Sequence, residues 1–253
     1  MKLIYDAQFQ DSGYAQDNAA MPGRMEAAMG GLLPGPWSVV APVPATVEQL
    51  RLAHDSDYLQ QVAGDPPRFA MASLAAGGAI LAGRLAHGGD PAFACVRPPG
   101  HHASRMGAWG HCTFSNLALA LLVLRAEGRI ASAFVLDIDA HTGDGTRDVL
   151  ALWPEADVFN PFAATAAEYL DLVEARLAAI LQVDIVAVSA GFDAYKLDVG
   201  HKLDTPDFQR LGTLAREASL RLCRGRRFAV LEGGYYLPDL GANVLAFCRG
   251  IAG

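Results

Sequence analysis

The sequence predicts a three-layer α/β/α fold with a mainly parallel central sheet. Short apolar runs alternate with stretches of helical pattern along the chain, and apolar strands that precede helices fit a parallel sheet sandwiched between helical layers. Acidic residues and histidines stand directly after several of these runs, where the strand C-termini of a parallel sheet converge on one crevice. The length of 253 residues lies near the upper limit for one hydrophobic core, so residues 1–253 are read as a single domain. Neither an internal repeat nor a low-complexity linker interrupts it.

In chain order, Lys2 to Tyr5 reads as the first strand, entered without the apolar core and cleavage site of a signal peptide. Helical stretches follow at Met25 to Leu33, Val47 to Ala63 and Ala70 to His87. The apolar run Ala92 to Val96 is a strand that opens into a loop with two adjacent histidines, His101 and His102. After a helix over Ser115 to Ala126, the strand Ala133 to Leu136 ends in Asp137-Ile138-Asp139-Ala140-His141. A helix over Ala166 to Leu181 leads to the strand Ile185 to Val188, which ends in Ser189-Ala190-Gly191-Phe192-Asp193. Pro206 to Cys223 is helical, with Thr205 offering an oxygen to the free amides and Pro206 fixing φ at the first helical position. Strand Ala229 to Leu231 and helix Pro238 to Arg249 complete the pattern.

Composition narrows the function. A formal charge of −7 leaves no Lys/Arg cluster able to cover a phosphate backbone, and the densest basic run, Arg221 to Arg227, reads as the solvated end of a helix. No uninterrupted apolar stretch is long enough to cross a bilayer; even Leu117 to Leu124 is flanked by Asn116 and Arg125. Cys95, Cys112, Cys223 and Cys248 lack metal-site spacing and read as reduced thiols of a cytoplasmic protein.

The sharpest chemical signal is Asp139 with His141. Two residues apart at the end of a strand, they point to one face and can close on one metal ion, with Asp137 expected to aim into the layer beneath. Asp193 offers a third ligand, and three protein ligands leave a position open, the pattern of a catalytic metal site.

Together, Arg97-Pro98-Pro99-Gly100-His101-His102-Ala103, Asp137 to His141, Gly143-Asp144-Gly145, Ser189 to Ala194 and Leu231-Glu232-Gly233-Gly234-Tyr235 resemble the zinc-dependent histone deacetylase and acetylpolyamine amidohydrolase family. The resemblance implies an arginase/deacetylase-like fold and one Zn2+ per chain held by Asp139, His141 and Asp193, with a structural K+ besides. It makes His101 and His102 tandem acid-base residues oriented by Asp137 and Asp144, and makes Tyr235 the residue that polarises the substrate carbonyl. The implied substrate is a small-molecule or peptide acyl-amine, such as an acyl-lysine or acylpolyamine, with no nucleic acid or membrane partner; a homo-oligomer is compatible with it. These residue types suit amide hydrolysis, which needs an activated water, a base, an acid and a donor to the oxyanion.

Two alternatives stand beside this reading. Asp139-Ala140-His141-Thr142 also matches the start of the dinuclear ureohydrolase motif, but Gly143 and Tyr195 occupy positions where bridging acids would be required. A paralogue that keeps metal and fold as a binding module is the other. The chain also departs from the family pattern. Gly110-His111 places a histidine where a channel-lining phenylalanine is usual, Thr142 replaces a second histidine, Asn18 to Pro22 replaces His-Pro-Glu, and compressed segments near 64–69 and 159–165 imply a shallower, more open approach. Among the remaining histidines, His54 is expected within a helix as a partner of neighbouring carboxylates, His87 at a helix end, and His201 in an exposed loop.

Overall fold

A computed structural model describes all residues, Met1–Gly253. Seven strands form one all-parallel sheet: β1 (Lys2–Ile4), β2 (Ser38–Val40), β3 (Ala92–Ala94), β4 (Ala133–Asp137), β5 (Ala156–Phe159), β6 (Val186–Ala190) and β7 (Arg227–Leu231). Their spatial order is β2-β1-β3-β7-β6-β4-β5. The chain adds nine helices: α1 (Arg24–Leu32), α2 (Val47–Leu50), α3 (Ser56–Ala63), α4 (Pro66–His87), α5 (Asn116–Ala126), α6 (Asp144–Leu150), α7 (Ala166–Ala179), α8 (Thr205–Cys223) and α9 (Leu237–Ala252). Helices α4 and α5 pack together in one layer, while α1, α9, α8 and α7 pack in succession in the other. The expected three-layer fold is the observed one.

The central strands are apolar on both faces because both are covered: β3, β4, β6 and β7 are buried at every position. Their C-terminal ends carry the four motif loops, and in space they are neighbours, in the order β3-β7-β6-β4. Register aligns the ends, Asp137 lying beside Ser189 and Ala190 beside Leu231, so the residues that follow emerge at one height.

Several boundaries differ from the sequence reading. The stretch 47–63 is two helices broken at 51–55, and His54 sits in the break. Its partners are main-chain groups and not carboxylates: Nδ1 lies 2.8 Å from Ser104 O, and Nε2 accepts from Ser115 N–H at 3.0 Å. The cap of α8 falls on Asp204, whose N–H donates to the Asp207 carboxylate (2.7 Å), and Thr205 is the first helical residue, donating to Asn243 Oδ1. Arg221 to Arg227 is a solvated helix end only in part: Arg221 and Arg224 are exposed at the end of α8, but the run continues into the sheet. Arg227 is buried in β7 and donates to Ile251 O and Gly225 O, and Arg221 donates to Leu177 O and Ile180 O, so these cations tie carbonyls between elements. Helix α4 is, by length and composition, apolar enough to cross a membrane, but 72% of its most apolar span is buried within the protein.

Candidate active site

The three proposed ligands converge. Asp139, His141 and Asp193 offer ligand atoms that all lie within 4.8 Å of one another. His141 Nδ1 is 3.0 Å from Asp139 Oδ1 and 2.9 Å from Asp193 Oδ2, yet that second oxygen accepts no well-aligned hydrogen bond although it is buried. The two carboxylates, as acceptors facing its ring N–H, raise the His141 pKa to about 10, while burial, then the charge of Asp139, raises Asp193 to about 7. Two buried carboxylates thus hold the imidazolium proton of His141 between them, where a divalent cation bound by the same atoms would put its charge. The donor set fits zinc. Glycine lets the main chain close around it: Gly233 N–H donates to Asp139 Oδ2 at 2.9 Å, and a Cβ there would stand 2.6 Å from that oxygen.

Asp137 does not point into the layer beneath. Residues 137, 139 and 141 share one parity, so its carboxylate stays on the side of the site, with Oδ1 accepting from Asp139 N–H and Oδ2 3.1 Å from His101 Nδ1. His102 Nδ1 is 2.7 Å from Asp144 Oδ1, and its Nε2 has no protein partner. The two imidazoles, with centroids 4.0 Å apart, sit in opposed fields. Burial lowers the His101 pKa, but the charges of Asp139 and Asp137 outweigh it and leave the group well above its ordinary value. Burial and then the neighbouring His101 charge lower His102 despite Asp144.

Tyr235 lines a cavity of about 170 Å³ together with His101, His102, Asp139, His141, Gly233, Asn18, Pro99, Trp109, Gly110, His111 and Val199. Burial pushes the Tyr235 phenol far above its ordinary pKa, so it stays a neutral O–H donor, and no protein acceptor takes that proton. His111 reaches the same cavity, its ring edge-on to Tyr235 at 5.8 Å and Nδ1 3.8 Å from Asp17 Oδ1. Both Gly110 (φ 58°) and His111 (φ 72°) are left-handed, and a Cβ at 110 would stand 2.5 Å from the His102 ring. At the position where a dinuclear site needs a further acid, Tyr195 instead donates its hydroxyl to Asp239.

Four residues around the site escaped the sequence reading. Glu232, fully buried, accepts from Gly100 N–H (2.7 Å) and His101 N–H (3.1 Å), tying the end of β7 to the histidine loop; burial raises its pKa to about 7. Asp198 accepts from the N–H groups of Tyr235 (2.6 Å) and Tyr236 (2.8 Å). Arg24, also fully buried, donates to Gly234 O and Glu232 O and lies 5.4 Å from the Tyr235 ring centre. Trp109 stacks on His102. Glu232 stands inside a quoted motif; the other three carry no local signal, because their partners are distant in sequence or their loop is irregular.

The histone deacetylase domain profile matches residues 20–163 and 157–251 of the chain. A probable deacetylase of Methanothermobacter thermautotrophicus is 32% identical, across 85% of this chain and 79% of that protein. Acetylpolyamine amidohydrolase 2 of Pseudomonas aeruginosa is 31% identical across 67% of this chain, which spans 58% of that protein's length. Among solved structures, the HDA15 HD domain shares the fold, with a TM-score of 0.85 at 23% identity, covering 100% of this chain and 91% of that one.

Proposed function

The chain belongs to the histone deacetylase family, and from that premise we propose that it is a zinc-dependent amidohydrolase that removes an acetyl or other small acyl group from an amine. One observation carries the reading: Asp139 and His141, which converge with the buried Asp193, line one small cavity together with two histidines that have separate carboxylates and an unengaged phenol. Bound zinc supplies Lewis acidity, which brings the pKa of water toward neutrality and polarises a carbonyl. The protein groups do the rest. Each histidine has Nδ1 committed to a carboxylate, so Nε2 is the nitrogen available to take a proton from water or return one to the leaving amine. Histidines whose fields push their proton affinities apart suit a division into acid and base. Tyr235 donates its phenolic hydrogen to the oxygen that becomes negative in the transition state. A channel this small suits a short acyl group, and the relative named an acetylpolyamine amidohydrolase favours an amine carrier.

The test is metal analysis of purified protein coupled to turnover of a panel of acetyl-lysine peptides and acetylated polyamines. One zinc per chain and release of carboxylate from some member of the panel are expected. Full occupancy by two ions, or metal binding without turnover of any acylated amine, overturns the reading.

A further inference from the structure

We propose that Trp109 is a positioning residue of this reaction, its indole fixing Asp144 and His102 in one arrangement; the proposal rests on the amidohydrolase reading of the site. Three contacts define the device. The indole stacks on the His102 ring at a centroid distance of 3.7 Å and an interplanar angle of 30°. Its Nε1–H donates to Asp144 Oδ2 at 2.9 Å, while Asp144 Oδ1 lies 2.7 Å from His102 Nδ1. Indole, carboxylate and imidazole thus close a triangle in which every edge is a direct contact.

The loop is built to deliver it. Ala103 and Ala108 bridge antiparallel, and Ser104 donates from both N and Oγ to Gly107 O, which turns the chain back so that residue 109 lies over residue 102. The next residue, Gly110, passes so close to the His102 ring that no side chain fits there. Core packing does not explain the tryptophan, because the residue is 55% exposed. What it contributes is order. The Asp144 side chain is itself 52% exposed, and a solvated carboxylate turns freely; with one oxygen on the indole and the other on the imidazole it cannot. The stack covers a face of His102, so the ring cannot rotate without losing both partners, and Nε2 stays directed at the cavity.

Two variants separate the contributions. Trp109→Phe keeps an aromatic face and removes the N–H; Trp109→Ala removes both. With zinc-loaded protein and an acetylated amine, Trp109→Ala should lower kcat by about 10-fold or more with KM changed less than about threefold, and Trp109→Phe should recover part of the loss. Independently of activity, the indole Nε1–H resonance assigned by its disappearance in Trp109→Phe should lie downfield and exchange slowly, and should move to the free-indole position in Asp144→Ala. Unchanged kcat in Trp109→Ala, or an indole proton indifferent to Asp144→Ala, overturns the proposal. If the wild-type protein turns over no acylated amine, the functional reading fails instead, and the indole proton alone decides whether Trp109 holds Asp144.

Discussion

Tyr235 presents the one phenol of the site, and its value lies in staying neutral and unengaged until charge develops opposite it. Tyr235→Phe should therefore lower kcat by about 10²-fold or more, on the scale of one lost oxyanion donor, with zinc content unchanged; an active Phe variant would move the role elsewhere. Asp193 has the opposite signature, a buried carboxylate oxygen without a well-placed donor, so Asp193→Ala should abolish stoichiometric zinc in metal analysis while the purified protein stays folded. His111 lines the cavity at the position where the family resemblance expects a phenylalanine, and His111→Phe should shift preference toward acetyl-lysine peptides; an unchanged ranking across the substrate panel would remove His111 from the substrate path. At this scale most of the site was legible, because the motifs put its polar residues directly after apolar strands. The orientation of Asp137 was misread by one step of strand parity. Arg24 was not legible at all, since its acceptors stand 208 and 210 residues away.

Elements at the sheet centre announced themselves and those at the rim did not. Strands β3, β4, β6 and β7 bury every residue and so read as apolar runs, whereas β2 is a three-residue edge strand with Val39 half exposed, and β5 is only partly buried along its length. Helix α6, Asp-Gly-Thr-Arg-Asp-Val-Leu, is too short to show a period. The break between α2 and α3 was missed because its cause is tertiary: His54 fills the gap and bridges Ser104 O to the N–H of Ser115, the cap residue of α5. Only the neutral imidazole with its hydrogen on Nδ1 satisfies both partners, and burial lowers the pKa from 6.5 to about 4. Above pH 6.5 the group is neutral folded or unfolded. As pH falls toward 4 the unfolded chain takes a proton that the folded one refuses, so stability drops through this window by up to about 3 kcal/mol. Urea titrations at pH 7 and pH 4.5 should show that loss in the wild type and a smaller one in His54→Gln; equal losses would assign the effect to other groups.

At the scale of the molecule, the site clamps loops that leave β4, β6 and β7, so metal that binds only the folded state should stabilise all of it. Zinc at about 100 times its dissociation constant should add about 2.7 kcal/mol, seen as a rise in Tm that a chelator reverses and that Asp193→Ala lacks. The fold class was legible because alternation of strand and helix permits few parallel arrangements; the strand order was not, because it is decided by which faces pack and not by any local pattern. That order has a kinetic meaning. Strand β7, residues 227–231, is wedged between β3 and β6, and Gly233 closes on Asp139 across a sequence separation of 94 residues. During synthesis, Asp139 and His141 leave the ribosome long before the strand that completes their surroundings, as an acidic and imidazole-bearing loop on an unfinished sheet. Loop-closure entropy delays such distant pairings, so if zinc binds as proposed, chains truncated before β7 should bind it more weakly than the full chain, and zinc uptake would report the last step of sheet assembly.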